Sequence, residues 1–491
     1  MSANGDAAGV TRTVRPDASP ATLRRVLSLP ALVLFGLVYL VPLTVFTTYG
    51  LVTVQTGGRL PTTYLITLVA MTFTALSYGA MVRAFPVAGS TFTYARAVFG
   101  PHVGFLAGWS LLLDYLFLPM INYLVIGLYL SARFPAIAPG VFIVAAILAV
   151  TVLNVIGIES IARANLVIMT AQVVFVVTFV AAALWAVPAD VSFWEPFVGN
   201  RSYAAGGVDP SIGFGPLLAG AAVLCLSFLG FDAVSTMAEE TPDPRRDIPK
   251  AILWVALGAG LLFMLLSYVG HLVLREPRCL ASVDPACTFA DTAALDLMAR
   301  AGGQWLSLFF IAAYVAGAFG SALTSQASVS RILYTMGRDG VLPRGFFGRL
   351  APRFGTPVPV ILLVSVISLL AAWVSLGLLA SMISFGALVA FSVVNLAVIK
   401  HYLIDDDRRR SARDRVRFGV MPAIGCLLTA WLWTSLSTES LTVGLRWLAA
   451  GVVYLGLLTR GFTRRPPDLR EHDERSGQDE RRGPEPVDAR T

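Results

Sequence analysis

LCLSFLGFDAVSTMAEETPDPRRDIPKAI, residues 224–252, decides how this chain must be built. The stretch opens as an apolar, membrane-spanning run and carries Gly230, Phe231 and Asp232 in mid-span. A carboxylate at that depth costs about 2.5–3.5 kcal/mol. Gly230 beside it weakens the helix locally. An acid next to a flexible backbone point in an apolar segment marks a candidate functional site. The plainer reading is that Asp232 caps a kink or pairs with a neighbouring span. The run then leaves the membrane through AEETPDPRRDIPK, rich in both signs of charge.

The same logic applies to the whole chain. It has 491 residues, 56% hydrophobic and 14% charged, where a soluble domain carries about 25% charged. Its apolar blocks are long enough to cross a bilayer as helices, about 20 residues each. They do not alternate apolar with polar, as the strands of a membrane β-barrel would. The expected fold class is therefore an all-α polytopic membrane protein with twelve spans. The net charge of +7 is no nucleic-acid signature, because the arginines lie at span ends rather than on one basic face. Four histidines and four cysteines form no cluster with metal-ligand spacing. No metal or cofactor is expected, and no nucleophile–base set points to an enzyme. A polar tail, not a cleavable signal, precedes the first span.

In chain order, residues 1–27 and 460–491 read as polar cytoplasmic tails. Residues 28–400 hold spans 1–10, the expected transport core, and 401–459 hold spans 11 and 12. Spans 1 to 5 are expected near 29–54, 62–83, 102–130, 140–158 and 162–187. Span 6 is the opening stretch, and spans 7 to 12 fall near 251–274, 304–330, 358–376, 378–400, 418–436 and 441–458. With both termini on one side, that side holds 30 of the 37 Lys and Arg. This bias places the termini in the cytoplasm of a plasma-membrane protein. Cys279 and Cys287 then share one outer loop, in an oxidising space where a disulfide and two free thiols are both open.

Span 1 is the only other span with a polar, interrupted middle. Pro42 removes a backbone donor, and Thr44, Thr47, Thr48 and Tyr49 lead to Gly50. Five spans separate it from span 6, so the two enter the membrane from opposite faces. This is the sequence sign of an inverted repeat with discontinuous helices. Irregular backbone at membrane depth is tolerated only where it lines a cavity or is buried in protein. The free N–H and C=O groups of two facing breaks suit a small polar or charged solute near the midplane.

The segments PLTVFTTYG (42–50), FPVAGSTFTYA (85–95), HVGFLAGWSLLLDYLFLPMIN (102–122), CLSFLGFDAVSTMAEETPD (225–243), IPKAI (248–252), ASVSRILYTMGRDGVLP (327–343) and FGALVAFSVVNL (385–396) carry a resemblance. The chain resembles the amino acid–polyamine–organocation transporters, and among them the bacterial putrescine importers most strongly, over nearly all its spans. The resemblance implies a five-plus-five inverted-repeat fold with two extra helices. It also implies secondary active uptake of an amine or amino acid, driven by protons more than by sodium. It assigns Thr44–Gly50, Tyr115 and Gly230-Phe231-Asp232 to the substrate region. One departure stands out: the putrescine pattern places an aspartate where this chain has Thr47. A diamine carries two positive charges, and each needs an anionic or strongly polar partner when desolvated. The alternatives are an amino acid permease or exchanger without polyamine activity, and a transport-inactive sensor. A sensor's sign would be a large soluble domain.

Asp114 and Asp232 are the acids within spans, as amine ligands or as the proton-carrying groups. Tyr115 suits the wall of an amine site by cation–π attraction. Glu239 and Glu240 could latch an inner gate by pairing with Arg83 or Arg96. Ser321, Thr324 and Ser325 of span 8 offer hydroxyls for sodium or for close helix packing, and packing is favoured.

Overall fold

The computed structural model describes residues 27–463, apart from 88–89, 157–160, 190, 200–212, 280–286, 339 and 409–410. Helices follow in the order α1 Leu29–Leu40, α2 Tyr49–Gln55, α3 Leu60–Ala84, α4 Ser90–Phe99, α5 Pro101–Arg133, α6 Pro139–Ile156, α7 Ile161–Trp185, α8 Glu195–Val198 and α9 Phe214–Leu224. The second half contains α10 Pro244–Val273, α11 Phe289–Arg338, α12 Arg344–Phe347, α13 Val358–Ser368, α14 Leu376–Ile399, α15 Ala412–Arg415, α16 Met421–Thr434 and α17 Thr438–Leu458. The protein is an all-helical membrane bundle. Among the described residues, eleven helical stretches are long and apolar enough to cross a membrane.

Two expectations change here. Span 9 is shorter than a full crossing: α13 has eleven residues and a four-residue 3₁₀ turn continues it to Ala372. At 1.5 Å per residue this falls short of a bilayer core of about 30 Å. The stretch before span 8 is helix rather than loop, because α11 begins at Phe289 and bends only at Gly303, whose φ is 73°. The polar face of FADTAALDLMARAGG, residues 289–303, leaves that helix without a continuous apolar run. Cys279 and Cys287, open in the sequence, form a disulfide.

Span 1 is two helices with a gap. α1 ends at Leu40 and Val41 takes φ 53°, ψ 98°; a 3₁₀ turn runs Pro42–Phe46 and α2 restarts at Tyr49. A β-branched residue at positive φ is a genuine outlier, and such strain persists only where the surroundings enforce it. Here Pro42 cannot continue the α1 hydrogen-bond ladder. Thr44 closes the turn: its backbone N–H donates to Val41 O at 2.8 Å, and its Oγ1, with one proton, lies 2.7 Å from both Leu40 O and Val41 O. Span 6 breaks likewise. α9 gives way to a 3₁₀ turn at Cys225–Phe228, Leu229 is extended, Gly230 takes φ 135°, and a second 3₁₀ segment runs Ala233–Glu240.

The bundle supplies partners to the loosened backbone, as low-dielectric surroundings require. Tyr129 donates to Phe46 O at 2.8 Å, Thr67 to Ala221 O and Ser384 to Val223 O, both at 3.2 Å. The two breaks also touch each other. A Cβ on Gly230 would come within 3.0 Å of Leu40 N and Leu40 Cγ, so only glycine fits this crossing. At the far end, Leu27 N–H donates to Glu240 O at 3.1 Å, tying the start of span 1 to the end of span 6.

Candidate functional site

Between the breaks lies a small chamber of about 40 Å³. Thr44, Thr47, Asn122, Tyr314 and Ser321 are its polar walls, with Leu40, Val41, Leu226 and Leu229 from the breaks themselves. Thr47 Oγ1 and the Tyr314 hydroxyl are hydrogen-bonded across it. Asn122 donates to Ser321 Oγ at 3.0 Å. A second chamber of about 130 Å³ shares Tyr39, Val41, Leu118 and Ser321 with the first and reaches Gln172 of α7 and Thr324 and Ser325 of α11. Among the described residues no carboxylate lines either chamber. Thr324 and Ser325 spend their hydroxyl protons on Gly320 O and Ser321 O, each at 2.7 Å within their own helix.

A larger cavity, about 390 Å³, has Tyr115 on its wall. Ser90 and Arg96 of α4, Trp109 and Tyr115 of α5, Thr236 below the span 6 break and Arg331 and Thr335 of α11 line it. Asp114 and Asp232, both buried, lie within electrostatic reach of each other and of Tyr39 and Tyr115. Tyr39 borders the midplane chambers and Tyr115 the large cavity.

The residues singled out in the sequence separate into groups. Thr44 and Thr47 line the chamber, and Tyr115 lines the adjoining cavity. Asp232 turns its carboxylate onto its own break, where Oδ1 accepts the Gly230 N–H at 3.1 Å. Asp114 is packed at the close crossing of α5 with Gly386 of α14, and its Oδ1 has no hydrogen-bond partner among the described residues. Phe231 points elsewhere, between Tyr78 and Phe391 at ring distances of 5.8 and 5.3 Å. Thr48, Tyr49 and Gly50 do not line the chambers. Tyr49 packs beside Gly270 of α10, and Gly50 lets α2 approach α11, where a Cβ would come within 2.6 Å of Ala290 O and 2.7 Å of Phe289 O.

The expected gate residues divide as well. Arg96 borders the large cavity, whereas Arg83 faces a different, basic cavity with Arg413 and Arg417. Glu240 contributes its backbone to the Leu27 contact, and the side chain of Glu239 lies outside the described residues. Tyr39, Tyr314 and Gln172 also line the midplane chambers. Each sits in an apolar run, where a lone polar side chain in mid-span was the available signal.

An all-helical bundle whose two oppositely entering, broken helices enclose a polar midplane chamber is the architecture of a membrane transporter. The chain belongs to the amino acid permease family, whose model matches residues 31–457. It is 36% identical over 467 residues to the low-affinity putrescine importer PlaP of Escherichia coli (strain K12), covering 94% of this chain and 100% of that one. It is 27% identical over 468 residues to the branched-chain amino acid permease BcaP of Bacillus subtilis (strain 168), covering 89% and 94%. Its fold is similar to that of MhsT, crystallised with L-phenylalanine: TM-score 0.56, 14% identity, covering 84% of this chain and 99% of that one.

Proposed function

We propose that this protein takes up a small organic amine or an amino acid across the plasma membrane, coupled to protons, by exposing the midplane chamber to each side in turn. The observation that carries this reading is the chamber itself: two strained breaks that meet at Leu40 and Gly230, with Thr44, Thr47, Asn122, Tyr314 and Ser321 between and around them. The relatives supply the substrate classes, since one is named a putrescine importer and another a branched-chain amino acid permease. Tyr39, Tyr115, Asp114 and Asp232 form the junction through which the substrate passes toward the cytoplasm, and the acids carry the coupling proton.

The neutral Thr47–Tyr314 pair favours one branch of this reading. With no carboxylate among the described residues of the chamber wall, a dication would lack a direct counter-charge. A monoamine or a zwitterionic amino acid is the better fit. The deciding experiment is uptake of radiolabelled putrescine, spermidine, and basic and neutral amino acids into reconstituted vesicles, with and without an imposed pH gradient. Saturable, gradient-driven uptake of at least one is expected. No saturable flux of any of them would end the transport reading, and a sodium-driven, pH-insensitive flux would end the proton coupling.

A further inference from the structure

The basic cavity that takes Arg83 away from the gate is a built site of its own. It holds about 720 Å³ between α3, α14 and the α15–α16 corner, within the usual range for a ligand site. Arg83 of α3 and Arg413 and Arg417 of the corner line it, with apolar walls from Leu76, Ala80, Val398, Val416, Met421 and Pro422. Among the described residues no ion pair joins these three arginines to a carboxylate. Of the acids nearby, Asp405 holds Lys400 at 3.0 Å and Asp406 lies 3.6 Å from Arg408 and 3.9 Å from His401, while Asp414, next to Arg413 on α15, joins no ion pair among the described residues. All three arginines are exposed, so water screens their mutual repulsion and their charge stays open to an anion.

Two independent features point to a ligand. Ser77 lines the cavity and is 2% exposed, yet its Oγ has no hydrogen-bond partner among the described residues. A buried hydroxyl without a partner costs about 1–3 kcal/mol. The corner is also held open by two π-helical segments, Lys400–Asp405 and Val416–Val420, a rare geometry that is frequent at functional sites. Tyr402 stacks on Phe418 at 4.1 Å and donates to Ala80 O at 3.0 Å, clamping both segments to α3.

We propose that this cavity binds an anionic phospholipid, its phosphate among Arg83, Arg413, Arg417 and Ser77 and its acyl chains along the exposed Leu76 and Val416. Basic pockets between membrane helices recognise such headgroups. A free phosphate shares the charge but would leave the apolar walls uncovered.

Native mass spectrometry of the full chain in mixed micelles tests this, with phosphatidylglycerol and phosphatidylcholine of the same acyl chains. The wild type is expected to retain phosphatidylglycerol at least tenfold better. Arg413→Gln with Arg417→Gln, both solvent-facing, should abolish that preference. Each single substitution should lose part of it, which keeps the test readable if the double variant unfolds. Equal retention of the two lipids, an undiminished preference in the folded variants, or displacement of the lipid by inorganic phosphate alone would each overturn the proposal.

Discussion

At the scale of single residues, Asp232 and Gly230 have separable duties. The Asp232 carboxylate accepts the Gly230 N–H at 3.1 Å, and an amide oxygen can do the same. Asp232→Asn therefore keeps the cap and removes the charge. The expected outcome is an unchanged melting temperature with uptake reduced at least tenfold; undiminished uptake would leave the acid with the cap alone. Gly230→Ala acts oppositely. At φ 135°, with Leu40 N 3.0 Å from the new Cβ, the variant should lose about 1–3 kcal/mol of stability and show it as a lower melting temperature. Thr47→Asp would bring the one charge the chamber wall lacks. A charge-assisted hydrogen bond is worth about 1.5–3 kcal/mol, so putrescine uptake relative to neutral amino acids should rise about tenfold. An unchanged ratio would place amine selectivity elsewhere. Thr47 could be found in the sequence because Pro42 and Gly50 bracket it. Its partner Tyr314 could not, because a contact across 267 positions leaves no local pattern.

At the scale of elements, the two breaks were readable and their packing was not. Gly230, Pro42 and a mid-span acid are local signals with local causes. Which way a broken segment turns depends on its neighbours. Phe231, next to the acid, faces Tyr78 and Phe391, and Gly50, within the polar cluster, serves the α2–α11 crossing. The first turns of α11 give no apolar run because half their face is polar, and the cavity around Arg83 leaves no local pattern because α15 and α16, more than 300 positions away, help to build it. Gly50 offers a clean test of packing against binding. Gly50→Ala places a Cβ 2.6 Å from Ala290 O, and overpacking of this kind costs about 1–3 kcal/mol. Melting temperature should fall while the KM of the surviving protein stays within about twofold of wild type. A large rise in KM with normal stability would put Gly50 in the substrate site after all.

At the scale of the whole molecule, the distribution of charge and the disulfide bear on sidedness from opposite ends. Counted on the twelve spans expected from the sequence, thirty of 37 Lys and Arg fall in the tails and the links after the even-numbered spans, the bias expected of cytoplasmic segments. Cys279 and Cys287, joined as a disulfide, lie in the opposite set of links, between α10 and α11, where an oxidising compartment would keep them paired. Arg349 lies beyond the other end of α11, in the Arg-rich link to α13. The two links should therefore differ in reach. In intact cells treated with a mild reductant, a membrane-impermeant maleimide should label Cys279 and Cys287. Arg349→Cys, made in a chain lacking those two cysteines, should label only after the membrane is permeabilised. Labelling of Arg349→Cys from outside would invert the topology read from the charge bias.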